Sequence, residues 1–349
     1  MPPARPSVDS RRPRLTPAVA DVRRAVRESL ADLSAEGSPH ESSRPLVLVA
    51  LSGGPDSLAL AAATAFEAPR LGVRAGAVVI DHGLQAESAT VARRAADAAL
   101  ALGLDPVRVE RVAVGAQNGP EAAARDARFE RLESVARGLG AAAVLLGHTL
   151  DDQAETVLLG IARGSGTRSL AGMAEVSGLY RRPLLGLRRS TLHAACADQQ
   201  LLPWHDPHND DERYTRVRVR HAVLPMLEEA LDAGVVDALA RTAAIAREDA
   251  EALDRMVDEA TGDVVEHAEA GCSLPVAWLA ANPAALRHRM IRLVARAEFG
   301  VSISRDQTLE VARLVTDWHG QGAVHLPGIR VERTAGSIVF TAAEDRDQR

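Results

Sequence analysis

The amino-acid sequence predicts an α/β protein. Its first large part holds a mainly parallel β-sheet, and a smaller, mostly helical part follows and ends in a short β hairpin. Three observations predict this. Apolar, β-prone runs alternate with helical patterns from Leu46 to about Leu170, as in parallel sheets with helices on both faces. Beyond Leu170 the alternation stops and long helical patterns dominate. Two short β-prone runs then flank the turn Thr334-Ala335-Gly336.

Composition limits the classes to which this chain can belong. Its 349 residues are 46% hydrophobic and 25% charged, as in globular proteins of one large or two ordinary domains. No apolar run approaches the ~18 residues of a membrane span, and the stretch from Pro2 to Arg27 lacks the apolar core of a secretory signal. We therefore expect no membrane partner. The two cysteines, Cys196 and Cys272, stand in no metal-binding spacing and favour a cytoplasmic location. The net charge of −6 argues against indiscriminate nucleic-acid binding but leaves local basic patches open.

Three parts are expected along the chain. Residues 1–43 form an extension with one amphipathic helix, Ala18–Leu33, in which apolar residues recur every three or four positions. Residues 44–222 form the α/β domain, and residues 223–349 form the helical domain with its β hairpin.

The carboxyl ends of the predicted strands collect polar residues. In open parallel sheets, ligands bind beyond these ends, so Ser52–Ser57, Asp81–Gly83 and Gly147-His148 are expected to share one crevice. The predicted strands are Leu46–Leu51, Gly76–Asp81, Val107–Val112 and Ala142–Gly147; the predicted helices between and after them are Glu87–Leu102, Pro120–Arg137 and Asp151–Ala162.

The segment after the first strand, which we call the anion loop, predicts a phosphate site. Its glycines allow unusual backbone angles, and a helix begins directly after it, so backbone N–H groups and the helix dipole favour an anion. It is not a Walker A loop, because the chain contains no lysine, and it does not match GxGxxG. The anion loop consists of Ser52, Gly53, Gly54, Pro55, Asp56 and Ser57.

A second cluster follows the fourth strand. His148, Asp151, Asp152 and Glu155 fall within eight residues at a helix N-terminus. Capping explains acids at this position, since the helix dipole stabilises each by about 0.3–1 kcal/mol. Three acids and a histidine nevertheless exceed what a cap requires. Their oxygens suit Mg²⁺ beside a substrate phosphate, or equally a cationic amine.

Two further stretches are ambiguous. Asp81-His82-Gly83-Leu84 ends a strand and is as typical of a turn as of a ligand site. Glu121, Arg125 and Arg128 share one helix face, which a surface ion pair explains equally well.

Together and in this order, the anion loop, Asp81–Leu84, Glu121–Phe129 and Gly147–Thr156 resemble the tRNA(Ile)-lysidine synthetase family of PP-loop ATP pyrophosphatases. The segments Pro203–Asp210 and Tyr214–His221, with Leu224-Pro225 after them, are similar to a further motif of that family. Val217 replaces the family's usual Asn, and His208 a common Ser, which leaves local contacts open.

The resemblance implies a Rossmann-like PP-loop domain and a defined reaction. Members of the family use ATP to adenylate the wobble cytidine at carbon 2 in the CAU anticodon of isoleucine tRNA. The ε-amine of free L-lysine then displaces AMP and gives lysidine. ATP and Mg²⁺ are thus the expected cofactors, isoleucine tRNA and lysine the expected partners, and a homodimer is possible because family members often dimerise.

The resemblance also implies roles for individual residues. The anion loop, with Asp81 and His82, is expected to bind ATP, and Asp56 and Asp152 to hold Mg²⁺. His148, Asp151, Asp152 and Glu155 would surround the activated base and lysine, while Arg125 would contact phosphate. Residues 44–222 would be catalytic and residues 223–349 would bind tRNA. The arginines expected to contact tRNA are Arg181, Arg182, Arg188, Arg189, Arg213, Arg216, Arg218 and Arg220.

Two other readings are compatible with a PP-loop. Another PP-loop tRNA-modifying enzyme, such as a thiolase, would need cysteines better placed than Cys196 and Cys272, and an amidating ligase would bring an ammonia source that is not visible here. A tRNA-binding protein that has lost its chemistry would not need the intact loop and acids.

Overall fold

The computed structural model describes residues 15–34, 44–81, 83, 87–112, 120–164, 166–231, 234–268 and 271–343, without the side chains of residues 120–124, 167, 168, 207 and 208. The chain divides into two compact units, one up to Ala244 and one from Ile245 onward. The division at 43/44 and 222/223 stays a prediction. Within the described ranges, no helix combines the length and hydropathy of a membrane span.

The first unit is built on a six-stranded sheet with the order β3-β2-β1-β4-β6-β5. All pairings are parallel except that between β5 and β6, so the predicted mainly parallel sheet is confirmed. The order reverses at β1, with β2 on one side and β4 on the other, and this places a topological switch point between β1 and β4. The strands are β1 Leu46–Ala50, β2 Arg74–Asp81, β3 Val107–Arg111, β4 Ala143–Leu145, β5 Val176–Ser177 and β6 Tyr180–Arg181.

Helices cover both faces of this sheet. Because β1 is buried along its whole length, its alternate side chains enter two separate cores, with Val47 and Val49 in one and Leu46 and Leu48 in the other. The α-helices of the unit are α1 Pro17–Leu30, α2 Pro55–Glu67, α3 Ser88–Ala101, α4 Pro120–Gly138, α5 Leu150–Ala162, α6 Thr167–Leu170, α7 Arg189–Asp198, α8 Thr215–Arg218 and α9 Leu224–Ala230; α10, Val235–Val264, contains the unit boundary.

Helix α1 is part of the first unit's core. Its predicted apolar stripe, Val19, Val22, Val26 and Leu30, is buried, and the helix packs against α2 and α7. The Thr16 side chain caps α1 and donates a 2.5 Å hydrogen bond to Asp198 at the end of α7. The amino-terminal helix thereby supports α7.

The second unit contains more β structure than the sequence predicts. The predicted hairpin is confirmed as β10 and β11, but it forms the middle of a five-stranded antiparallel sheet with the order β7-β8-β11-β10-β9. The other strands are short, and β7 is exposed throughout, so it lacks the apolar alternation that marks a strand. The elements are β7 Glu266–Ala268, β8 Gly271–Pro275, α11 Val276–Ala281, α12 Ala284–Phe299, α13 Arg305–Thr316, β9 Val324–Leu326, β10 Ile329–Thr334 and β11 Ser337–Ala342.

Candidate active site

The anion loop is held closed by its own hydrogen bonds. Gly53 has a φ of +84°, an angle that only glycine adopts readily, and its carbonyl accepts a 2.9 Å hydrogen bond from the Trp204 amide. The Ser57 hydroxyl donates to the Gly54 carbonyl at 3.0 Å and accepts from the Ser52 amide at 3.2 Å. The loop therefore turns β1 directly into the N-terminus of α2, where unpaired helix N–H groups favour phosphate.

Gly147 brings the loop after β4 against the anion loop. A Cβ at this position would lie 3.3 Å from the backbone of Asp56 and from the Cα of Ser57. The two loops thus meet main chain to main chain at the switch point between β1 and β4. This contact brings the start of α5 near Asp56, and Arg189 lies within 3.6 Å of both Asp56 and Asp152.

A cavity of about 550 Å³ lies between these loops. It contains about half of the site residues predicted from the sequence and thereby brings Asp56 and Asp152 together. Of the predicted catalytic and ATP-binding residues, Gly53, Asp81, Asp151 and Glu155 do not line it, and His82 falls outside the described residues. The lining residues that the sequence singled out are Ser52, Gly54, Pro55, Asp56, Ser57, Arg125, Arg128, His148, Asp152, Arg189 and Arg220.

Asp152 both caps α5 and faces the cavity. Its Oδ2 accepts 2.8 Å hydrogen bonds from the Thr149 amide and hydroxyl, which completes a capping box. Its Oδ1 accepts a 2.9 Å hydrogen bond from Arg189. Burial opposes ionisation, but the charges of Arg189 and Arg216 outweigh it, so the pKa of Asp152 is lowered. The capping interpretation is therefore confirmed for Asp152, and its role in binding Mg²⁺ or a cationic amine stays a prediction.

Glu155 is fully buried and joins three arginines. Its carboxylate accepts from the Nε of Arg220 at 2.7 Å, from the Nε of Arg216 at 2.8 Å and from Arg189 at 3.4 Å. Glu155 therefore holds these three guanidinium groups in place, and its contact with the base and lysine stays a prediction. Arg220 lies in a π-helical turn, Val219–Val223, a feature frequent at functional sites.

Asp151 fixes the start of α7. One carboxylate oxygen accepts a 2.7 Å hydrogen bond from the Arg189 amide, and the other lies 3.5 Å from the Nε of Arg188. Arg188 also donates to Asp237 at 3.0 Å. Asp151 thus links α5 to α7 behind the cavity.

The arginines expected to contact tRNA fall into two groups. Arg189, Arg216 and Arg220 pair with Asp152 and Glu155 of α5, from which they are separated by 34 to 68 residues of sequence. The others contact groups outside the cavity, and the assignment of all eight to tRNA stays a prediction. Arg181 pairs with Asp32 at 2.6 Å, Arg182 donates to the Ala174 carbonyl, Arg188 pairs as above, Arg213 pairs with Asp211 at 2.6 Å, and Arg218 donates to the Glu212 and Arg213 carbonyls.

Asp56 and His148 are both perturbed by burial. Burial raises the pKa of Asp56 to about 6 although Arg189, whose Nε lies 3.6 Å from Asp56 Oδ2, opposes the shift. Burial lowers the pKa of His148 to about 4, so its imidazole is neutral near pH 7. Within the described part of the chain, Asp56 Oδ1 and His148 Nδ1 are buried without a hydrogen-bond partner.

Asp81 behaves as a turn residue in the structure. Its Oδ1 accepts a 3.0 Å hydrogen bond from the Gly83 amide. In the sheet, Asp81 is the last residue of β2 and lies opposite Arg111 of β3. Its expected contact with ATP stays a prediction.

Several cavity residues were not predicted as site residues from the sequence. Asn209, Asp210 and His221 belong to segments noted only for their resemblance to the family. His193 on α7 could have been found only from its spacing, four residues after Arg189. The remaining lining residues are Ala50, Phe129, Leu146, Gly147 (which the sequence placed at this crevice), His193, Trp204, His205, Asn209, Asp210 and His221.

A metal ion at this site would need ligands from a substrate in addition to the carboxylates. Among the described residues, no group of three or more His, Cys, Asp or Glu side chains is arranged to hold a metal ion. The unpartnered Asp56 Oδ1 and the cavity-facing Asp152 fit Mg²⁺, which commonly uses one or two carboxylates plus phosphate oxygens.

Comparison with known proteins agrees with this architecture. Residues 22–227 match the PP-loop domain family, and residues 274–338 match the TilS substrate binding domain family. A parallel sheet with an anion loop at its switch point, together with the first match, defines an ATP-utilising PP-loop protein.

Relatives identify the particular family. A tRNA(Ile)-lysidine synthase of Leifsonia xyli subsp. xyli is 60% identical over 314 residues, which cover 88% of this chain and 94% of the relative. One of Streptomyces coelicolor is 52% identical and covers 92% of this chain and 97% of the relative. The chain belongs to the tRNA(Ile)-lysidine synthase family, as the sequence motifs predicted.

A solved structure shares the fold at low identity. The U34-tRNA thiolase NcsA from Methanococcus maripaludis with its 4Fe-4S cluster aligns with a TM-score of 0.54 and 16% identity. The match covers 66% of this chain and 80% of the thiolase. It supports the PP-loop architecture alone.

Proposed function

We propose that this protein uses ATP to join free L-lysine to carbon 2 of the wobble cytidine in the CAU anticodon of isoleucine tRNA, forming lysidine. One observation carries the proposal beyond family membership. A single cavity holds both an anion loop suited to a diphosphate leaving group and the Asp152 carboxylate. ATP and a cationic amine could therefore reach the same base from two sides.

The first step is adenylation. The oxygen on carbon 2 of the cytidine attacks the α-phosphorus of ATP, and the bond from this phosphorus to the bridging oxygen breaks, so diphosphate leaves with the electron pair. The anion loop would bind the β- and γ-phosphates through the helix N-terminus. Arg125 and Arg128 line the cavity and would bind the charge of the transferred phosphate.

The second step is displacement by lysine. The deprotonated ε-amine attacks carbon 2, and the bond from this carbon to the phosphate-linked oxygen breaks, so AMP leaves. Asp152 Oδ1 would orient the incoming amine, since its lowered pKa keeps the carboxylate charged at neutral pH. His148 would contact the base as a neutral imidazole, and Glu155 would hold the three arginines that fix Asp152.

Mg²⁺ would be held by Asp56 and Asp152 together with phosphate oxygens. When bound, it would neutralise charge on the leaving diphosphate. The arginines outside the cavity, above all the exposed Arg213 and Arg218, would contact tRNA phosphates. A homodimer and a cytoplasmic location stay part of the proposal.

Mass spectrometry of nucleosides tests the proposal. The purified protein is incubated with isoleucine tRNA bearing CAU, ATP, Mg²⁺ and lysine, and the digested tRNA is examined for lysidine. The matched controls omit lysine or use the Asp152→Asn variant. Lysidine in the complete reaction alone is expected. If tRNA binds but cytidine stays unmodified, the protein is a PP-loop tRNA-binding protein and the proposal fails.

A further inference from the structure

Helix α7 faces the anion loop with side chains on successive turns. Arg189 Nε lies 3.6 Å from Asp56 Oδ2, and His193 Nε2 lies 3.9 Å from Asp56 Oδ1. One turn further on, the Cys196 thiol donates to the Pro55 carbonyl at 3.1 Å. The spacing of four and three residues places these side chains on one helix face. Helix α7 therefore forms a second wall of the phosphate site.

His193 differs from its two neighbours because it is open to the cavity. Its side chain is 49% exposed and lines the same cavity as the anion loop, whereas Cys196 is buried and Arg189 is 19% exposed. Within the described residues His193 donates no hydrogen bond, while Arg189 is engaged by Asp152 and Glu155. An imidazole carries at least one N–H in either protonation state, so it is a donor without a present acceptor.

The ligand that fits this donor is an anion next to the loop. The chain has no lysine, the side chain that commonly reaches terminal phosphates in nucleotide sites. On the α7 side, the charge of Arg189 is paired with the carboxylates of Asp152 and Glu155. His193 lines the same cavity as Ser52 and Gly54 and is open to it. Apart from the tRNA itself, two small substrates bring oxyanions into the cavity, ATP through its phosphates and lysine through its carboxylate.

We propose that His193 binds the terminal phosphates of ATP, and then the leaving diphosphate, by donating a hydrogen bond from its imidazole. The phosphates are favoured over the lysine carboxylate because His193 approaches Asp56 of the anion loop, whereas no hydrogen bond or ion pair joins it to the acids of α5 within the described residues. This inference rests on the proposed function for the identity of the nucleotide reaction.

The test compares two substitutions at one position. His193→Leu removes the donor and His193→Gln restores one, while His325→Leu, at an exposed position of β9, is the matched control. We expect His193→Leu to raise both the KM for ATP and the inhibition constant of inorganic diphosphate about 10-fold, because a hydrogen bond to a charged group is lost. His193→Gln recovers most of this loss, and the KM for lysine and the melting temperature stay as in the unsubstituted protein.

The possible outcomes separate the two claims. Unchanged constants for ATP and diphosphate in His193→Leu overturn the inference, and so does a rise confined to the KM for lysine, which would place the lysine carboxylate at His193. Direct titration of diphosphate into the protein provides a readout without turnover. If the unsubstituted protein forms no lysidine yet binds diphosphate in a His193-dependent way, the proposed function fails and this inference stands.

Discussion

Asp56 is held in a place that disfavours its own charge. Burial raises its pKa from 3.8 to about 6, so the carboxyl is harder to ionise in the folded protein than in the unfolded chain. A group with a raised native pKa contributes stability that is complete below the unfolded value and is lost as the pH rises through the native value. At neutral pH this aspartate therefore lowers the free energy of unfolding, as expected for a ligand group prepared for a metal ion or a substrate.

Replacement of Asp56 by Asn is expected to stabilise the protein and abolish lysidine formation. One pKa unit corresponds to about 1.4 kcal/mol, and partial exposure reduces the effect, so the gain at pH 7.5 is about 2 kcal/mol and disappears below about pH 4. Urea unfolding from pH 4 to 8 measures it. The control, Asp97→Asn on an exposed face of α3, changes stability by less than about 0.5 kcal/mol. Equal stability of the Asp56→Asn variant and the unsubstituted protein at pH 7.5 would contradict the assigned burial cost.

Glu155 is expected to be necessary for folding stability. Glu155→Gln keeps the shape of the side chain but leaves Arg189, Arg216 and Arg220 without their shared negative partner. Breaking such a buried network costs about 3–5 kcal/mol. Denaturant unfolding measures the loss, and Glu130→Gln on the exposed face of α4 serves as the control. A native melting curve combined with lost activity would instead make Glu155 a direct ligand group.

At the scale of elements, the contact between the two loops depends on a missing side chain. Gly147→Ala places a methyl group 3.3 Å from the backbone of Asp56, and backbone cannot rotate away as a flexible side chain does. We expect a loss of about 1–3 kcal/mol in stability and a raised KM for ATP. Gly138→Ala, where a Cβ meets no atom within 4 Å, should be neutral or slightly stabilising. An unchanged KM for ATP in Gly147→Ala would show that the loops can separate without effect.

Helix α1 gives a second prediction at this scale. Leu30 is fully buried beneath α2 and α7, so Leu30→Ala should cost about 2–5 kcal/mol. Leu15, just before the helix, is 59% exposed, and Leu15→Ala should change stability by less than about 0.5 kcal/mol. Thermal unfolding of both variants measures the contrast. Similar effects at both positions would mean that α1 does not belong to the core.

At the scale of the whole molecule, charge must be arranged locally for tRNA to bind. The chain carries a net charge of −6, so attraction to tRNA depends on arginine patches rather than on the overall field. The affinity for tRNA should fall with salt, with a slope of roughly 0.7–0.9 per phosphate contact in a plot of log K against log salt. Filter binding across a salt series measures the slope. A flat plot would exclude arginine–phosphate contacts as the main source of affinity.

Local pattern explains how much the sequence could predict. The strand before Ser52, the helix after Pro55 and the acids at Asp151 are each visible in a few consecutive residues, and the rule for parallel strand ends brings them together. The partners of those acids could not be predicted, because Arg216 and Arg220 meet Glu155 across more than sixty residues of chain. Nor could short strands such as β7 be predicted, since their pairing depends on neighbours and not on their own composition.

The Gly147 contact affects the spacing between the sites of the two proposed reaction steps. Side chains hop among rotamers, whereas main-chain atoms inside adjoining strand and helix ends move only when the scaffold itself bends. The distance between the anion loop and Asp152, which we propose to bind diphosphate and amine, is consequently set by main-chain packing. The adenylated nucleotide would need to travel little before lysine reaches it, and the mobile participants would be the substrates themselves.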